Sequence, residues 1–115
     1  MNIQKQDYSV IWDEEGACLT LSGTLRLMTR EYRPLVELLE VLLRAPQQPP
    51  RLVIDVKDLR MINSSGLNVL SRFVIGLRQR TNTQVVLRGA RASAWQGKIL
   101  ANFRSFLPSA DVEFE

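Results

Sequence analysis

Leu52-Val53-Ile54-Asp55-Val56 is apolar at every position but one. A strand with one face in water alternates apolar and polar residues. This run does not, which is the pattern of a central strand covered on two sides, as in parallel sheets. Helical patterns flank it. Leu35, Leu38, Leu39 and Leu42 repeat at helical spacing before it, forming one apolar stripe. After it, Leu67, Leu70, Val74 and Leu77 form a second stripe, with Phe73 at its edge. A buried strand between two amphipathic helices calls for an α/β fold built on a largely parallel sheet with right-handed crossovers.

The remaining segments extend this plan. Ser9 to Asp13 and Ala17 to Gly23 read as two strands of a hairpin, turning at Glu14-Glu15-Gly16 with Gly16 free to take positive φ. Thr29 is placed to cap the first helix, Glu31 sits in its first turn, and Pro34 is early enough to be tolerated. That helix is expected to stop near Arg44, because Pro46, Pro49 and Pro50 enforce an extended link. A loop from Asp58 to Asn63 leads into a second helix over Ser64 to Arg80. Gln84 to Leu87 reads as a strand, Ala92 to Phe106 as a helix, and Val112 to Phe114 as a last short strand. The predicted order is β-β-α-β-α-β-α-β. A chain of 115 residues fits one domain, 1–115, that packs a core without disulfide or metal staples.

Composition removes several chemistries. There is no histidine and one cysteine, Cys18. The serine–histidine and cysteine–histidine constellations are therefore absent, as is any cysteine metal cluster. Cys18 lies on a predicted strand without a basic neighbour and reads as a packing residue. Trp12 and Trp95 read as core or rim aromatics. No glycine-rich phosphate loop with its lysine is present. Asp55 lacks the companion acids of a magnesium-dependent phospho-acceptor site, and Asp55 and Asp58 read as structural or partner-facing. The charge of +3 is spread along the chain, with Arg26, Arg44, Arg60, Arg72, Arg88 and Arg104 far apart in sequence. Without a run or a groove-reading motif, nucleic-acid binding is not expected. Met1 to Val10 is polar, and no apolar run approaches the roughly 20 residues of a membrane span. No membrane insertion is expected, and the cytoplasm is the expected location.

The most informative segment is Leu52 to Leu70, where the buried strand passes through a short loop into Asn63-Ser64-Ser65-Gly66-Leu67. A loop opening into a helix presents free backbone N–H groups and the positive end of the helix dipole. A serine there can cap the helix, or carry a phosphate without unfolding it. Gly66, lacking Cβ, leaves room for a partner's backbone near the serines. Asn68, Val69 and Arg72 extend the same helix end. Val69 and Ile75 fall at the margins of the core stripe, where half-exposed apolar groups suit either core-edge packing or a partner surface. Arg88 and Arg91 could meet a phosphate or an acidic partner, although such arginines are usually solvated.

This segment resembles the signature of STAS domains, named for sulfate transporters and anti-sigma-factor antagonists. The resemblance rests on Val53-Ile54-Asp55-Val56, on Leu59, Met61 and Ile62, and on Asn63-Ser64-Ser65-Gly66-Leu67. Gly23, at the close of the second predicted strand, and Val85-Val86-Leu87-Arg88-Gly89-Ala90 also look family-like, and the order of elements agrees from about Ser9 onward. The resemblance implies a bacterial protein-binding switch of signal transduction and transcription regulation, not an enzyme, with no cofactor and no metal. By position, Ser64 would be the phospho-acceptor, with Ser65 as second choice. Asn63, Ser64, Ser65, Gly66, Asn68, Val69 and Arg72 would meet the partner. That partner would be a serine-kinase anti-sigma factor of the histidine-kinase-like ATPase fold, and a serine phosphatase would reset the switch. The sequence departs from the family at Asn63, where an aspartate is usual. Asparagine can cap a turn but supplies no negative charge. The alternative is a constitutive STAS docking subunit of an ATPase or signalling complex, without phosphorylation.

Overall fold

Parallel strands that follow one another in a sheet must be joined by crossovers, and right-handed crossovers put every connecting helix on the same face. The computed structural model, which describes residues 1–115, follows this rule. Six strands lie in sequence order: β1 Asn2–Gln4, β2 Tyr8–Asp13, β3 Cys18–Leu25, β4 Arg51–Ile62, β5 Gln84–Gly89 and β6 Asp111–Phe114. The β1–β2 and β2–β3 pairs are antiparallel, and β3 to β6 run parallel. Helices α1 Arg33–Arg44, α2 Ser64–Arg80 and α3 Ala94–Phe106 make the crossovers. The α/β class and the mixed, mostly parallel sheet match the sequence expectation. The element order gains one strand at its start, β1. Only three residues long and polar at two of them, β1 carries no readable alternation.

One core of 25 buried residues joins the helices to one face of the sheet. Leu52, Ile54 and Val56 of β4 and Val85 and Leu87 of β5 point into it. Leu35, Leu38, Leu39 and Leu42 meet them from α1. Phe73 is 2% exposed and belongs to the core, whereas Leu67 is half-buried against it, so those two exchange the places the helical stripe predicts. The opposite face carries Val53, Asp55, Val86 and Arg88, where Val53 pairs with Val86 and Asp55 with Arg88. The strand expected to be covered on two sides is thus covered by helices on one. On its other face Val53 and Val86 are nonetheless 3% and 2% exposed.

Three further expectations change. The loop predicted at Asp58–Asn63 is strand as far as Ile62, paired to β3 through Leu25↔Ile62. Register shifts between Thr20 and Ser22 and between Gly23 and Thr24 break its alternation, so the segment does not read as a strand. Thr29 does not cap α1: Thr29–Tyr32 forms a 3₁₀ turn, and the Glu31 carboxylate accepts the Met28 amide at 2.9 Å. Gly16 does not take the left-handed conformation; Ala17 does, at φ 49°. Gly23, expected to close its strand, sits inside β3 at φ 86°, and a Cβ there would lie 2.3 Å from Asp7 O. The helix expected from Ala92 begins at Ala94.

Past Asp55, β4 runs on beyond the last residue that β5 pairs. Its open carbonyl edge is closed by a side chain. Gln96, 1% exposed, donates to Leu59 O at 2.8 Å while its Oε1 accepts the Ala90 amide at 2.6 Å. A buried amide here replaces one rung of a missing strand. The long β4 tail is thereby held where it delivers Asn63 to the start of α2.

Candidate site at the start of the second helix

The chain leaves β4 at Ile62 and enters α2 at Ser64, with Asn63 in extended conformation between them (φ −86°, ψ 176°). Asn63 is the cap, where the sequence left the role open to a serine. Its Oδ1 accepts the Gly66 amide at 3.0 Å, and its Nδ2 donates to Leu27 O at 2.8 Å. The buried Tyr32 hydroxyl lies 2.7 Å from the same Oδ1 and 3.0 Å from Leu25 O. Its one proton serves one acceptor at a time. Burial raises the Tyr32 pKa above its ordinary 10.0, opposed by the Leu27 amide. An aspartate at 63 would put a carboxylate oxygen against Leu27 O, where the amide now donates. This loop therefore favours a donor at that atom, which an amide supplies and a carboxylate does not.

Gly66 is buried, and its missing Cβ does not make room for a partner. A Cβ would meet Ile62 Cγ1 at 2.6 Å and the Tyr32 hydroxyl at 2.7 Å. The glycine admits Tyr32 to the turn, so of the expected contact residues Gly66 faces inward.

The two serines differ. Ser65 is half-buried and bonded to Thr29 through their hydroxyls at 3.0 Å. Ser64 is exposed, and no hydrogen bond engages its hydroxyl. It occupies the first helical position, where the backbone amides have no intrahelical acceptor. Exposed Met28 (65%) and Met61 (39%) stand on the segments leading into the 3₁₀ turn and α2, and Arg26 reaches Met61 Sδ at 3.3 Å.

From Ser65 a cleft of about 280 Å³ runs between α1 and α2. Ser65, Asn68, Val69 and Arg72 line it from α2, at spacings that share one helix face. Val36, Leu39, Glu40 and Leu43 face them from α1, Thr29 closes the serine end, and Phe73 adds to the floor. The structure thus brings together Ser65, Asn68, Val69 and Arg72, whereas Asn63 and Ser64, which precede them in the chain, do not line the cleft. Thr29, Tyr32 and Val36 were not legible as site residues. Val36 offers the one available signal, an apolar residue off the α1 stripe; it is 41% exposed.

The second polar cluster lies on the helix-free face. Asp55, 3% exposed, binds Lys57 at 2.9 Å and lies 3.7 Å from Arg88. Arg88 also meets Glu113 at 2.7 Å and Glu115 at 3.3 Å. The hydrogen bond to Asp55 raises the Lys57 pKa, and the bond to Glu113 raises that of Arg88. Arg88, expected to be solvated, is spent on the fold. Arg91 instead remains exposed, donating to Phe114 O at 3.3 Å.

No family model matches the chain, and no curated protein matches its sequence. No helix is long and apolar enough to cross a membrane.

Proposed function

We propose that the chain is a regulatory protein-binding module of the anti-sigma-factor-antagonist kind, switched by phosphorylation of Ser64. The observation that carries this reading is the exposed Ser64 hydroxyl, bonded to no other group of the chain, at the first position of α2 and one residue before Ser65 of the cleft. A kinase reaches such a hydroxyl without breaking any contact of the fold. Ser65, bonded to Thr29, is the poorer acceptor. A phosphate on Ser64 adds about −1.5 to −2 charge to the contact surface. In a close interface that change governs whether the partner stays or leaves. The partner this reading implies is a serine-kinase anti-sigma factor of the histidine-kinase-like ATPase fold, with a serine phosphatase as the resetting enzyme, in the cytoplasm. The chain itself then needs no catalytic group.

Asn63 favours a second reading, a constitutive docking subunit of an ATPase or signalling complex. Its side chain is committed to Leu27 and Gly66 and brings no charge to the serine. Phosphopeptide mass spectrometry over Met61 to Arg72, on protein isolated from its own cells, separates the two. Phosphate on Ser64 supports the switch. Bare serines under growth and stress conditions leave the constitutive reading.

A further inference from the structure

The charges around the cleft are unbalanced. Its one carboxylate, Glu40, lies 3.3 Å from Arg44 and 3.7 Å from Arg80, both outside the cleft. Arg72, on the opposite wall, is exposed and has no carboxylate within ion-pair distance. Arg30 follows Thr29 in sequence and Arg33 precedes Val36 by three positions on α1; both are exposed and in no ion pair, and neither lines the cleft, outside which Glu37 is the one further acid of α1. The helices α1 and α2 both begin at this end, since each leads away from the C-terminal end of a parallel strand. Two helix N-termini add partial positive charge to that of the arginines. Beside these cations lie half-buried Val69 and exposed Val36, over the buried Phe73 of the cleft floor.

An apolar strip flanked by cations fits a helix with an apolar stripe flanked by acids. We infer that the α1–α2 cleft docks an acidic amphipathic helix of the partner, its apolar side chains on Val36 and Val69 and its carboxylates on Arg30, Arg33 and Arg72. This rests on the protein-binding reading above and gives it a partner chemistry. It also assigns the phosphate a mode of action. A dianion on Ser64 cancels the positive field that draws the acidic helix, so release follows from lost attraction as well as from like charge.

The test uses two synthetic amphipathic peptides of about 18 residues with the same leucine stripe, one flanked by glutamates and one by lysines. Each is titrated into the ¹⁵N-labelled protein. The expected result is binding of the glutamate peptide alone, with amide shifts concentrated at Val36, Val69 and Arg72. Arg72→Glu should weaken it about fivefold, the upper range for an exposed ion pair, and Val69→Asp should weaken it as well. Arg72 is exposed, so its variant keeps the fold, which its own spectrum verifies. Equal binding of the lysine peptide, or shifts centred elsewhere, overturns the inference. Phosphate found on Ser64 in cells, with no glutamate-peptide binding, overturns the docking surface and leaves the switch reading standing. Glutamate-peptide binding at the cleft with Ser64 bare in cells supports the surface and fails the switch.

Discussion

Two polar clusters of this protein, one of charged and one of neutral side chains, differ in what they leave unbonded. On the helix-free face, Asp55 is ringed by Lys57 and Arg88, and Arg88 in turn by Glu113 and Glu115. Every charge there has a partner within the chain. At the start of α2, Asn63 and Tyr32 form an equally closed knot, but the next residue, Ser64, has an exposed hydroxyl bonded to nothing. The first cluster is complete as it stands. The second ends in a hydroxyl that no other group of the chain bonds. A saturated polar cluster holds strands together, whereas a rigid polar knot that ends in a free hydroxyl presents that hydroxyl at a fixed place.

The comparison can be broken by removing its anchors in turn. Asp55→Ala should cost most, about 3 kcal/mol, since it strips a buried carboxylate from two cations; urea unfolding measures it. A loss under about 0.5 kcal/mol, typical of surface sites, would mean the cluster is ornamental. Gly66→Ala should cost about 2 kcal/mol through overpacking against Tyr32 and Ile62, visible in the same measurement. Asn63→Ala should cost about 1.5 kcal/mol, from a lost cap and an orphaned Leu27 carbonyl. Its distinctive readout is faster amide exchange in the first turn of α2 with the rest of the sheet unchanged.

A pH titration sharpens the contrast further. Tyr32 and Lys57 both have folded pKa values raised above their ordinary 10.0 and 10.5. Folding therefore disfavours the tyrosinate and favours the ammonium, so both contributions are whole below pH 10.0 and are lost as pH rises through the folded values. Thermal melts across the alkaline range should show declining stability. Tyr32→Phe and Lys57→Gln should each flatten that decline. The smallest effect belongs to Ser64→Ala, which should change stability by less than about 0.5 kcal/mol. A larger loss would make Ser64 a structural cap and remove the contrast between the clusters.

Much of the architecture was legible because it rests on local periodicity. The α1 stripe at Leu35, Leu38, Leu39 and Leu42 is buried as its spacing predicts, and the helix ends at Arg44 before the prolines. The β4 tail was not legible, because its register shifts displace the alternation on which strand reading depends. Nor was the fate of Phe73, since a helical stripe leaves the rotation of its edges open by a residue or so. At the site, the serine pair and its position after a strand were readable. Tyr32 was not, because its hydroxyl finds Asn63 across 31 residues of chain. Gln96 escaped notice for the same reason, bonding Leu59 over 37 residues.

The sequence by itself determined the class of fold, the order of its main elements and the place where a hydroxyl pair opens a helix. Those follow from spacings of a few residues, which the backbone geometry of helices and strands imposes. Tertiary structure alone decided which serine is free, why residue 63 is an amide, and which arginines are spent on the fold. Those depend on partners distant in sequence, and a hydrogen bond forms only where the fold brings donor and acceptor within about 3 Å, an ion pair within about 4 Å.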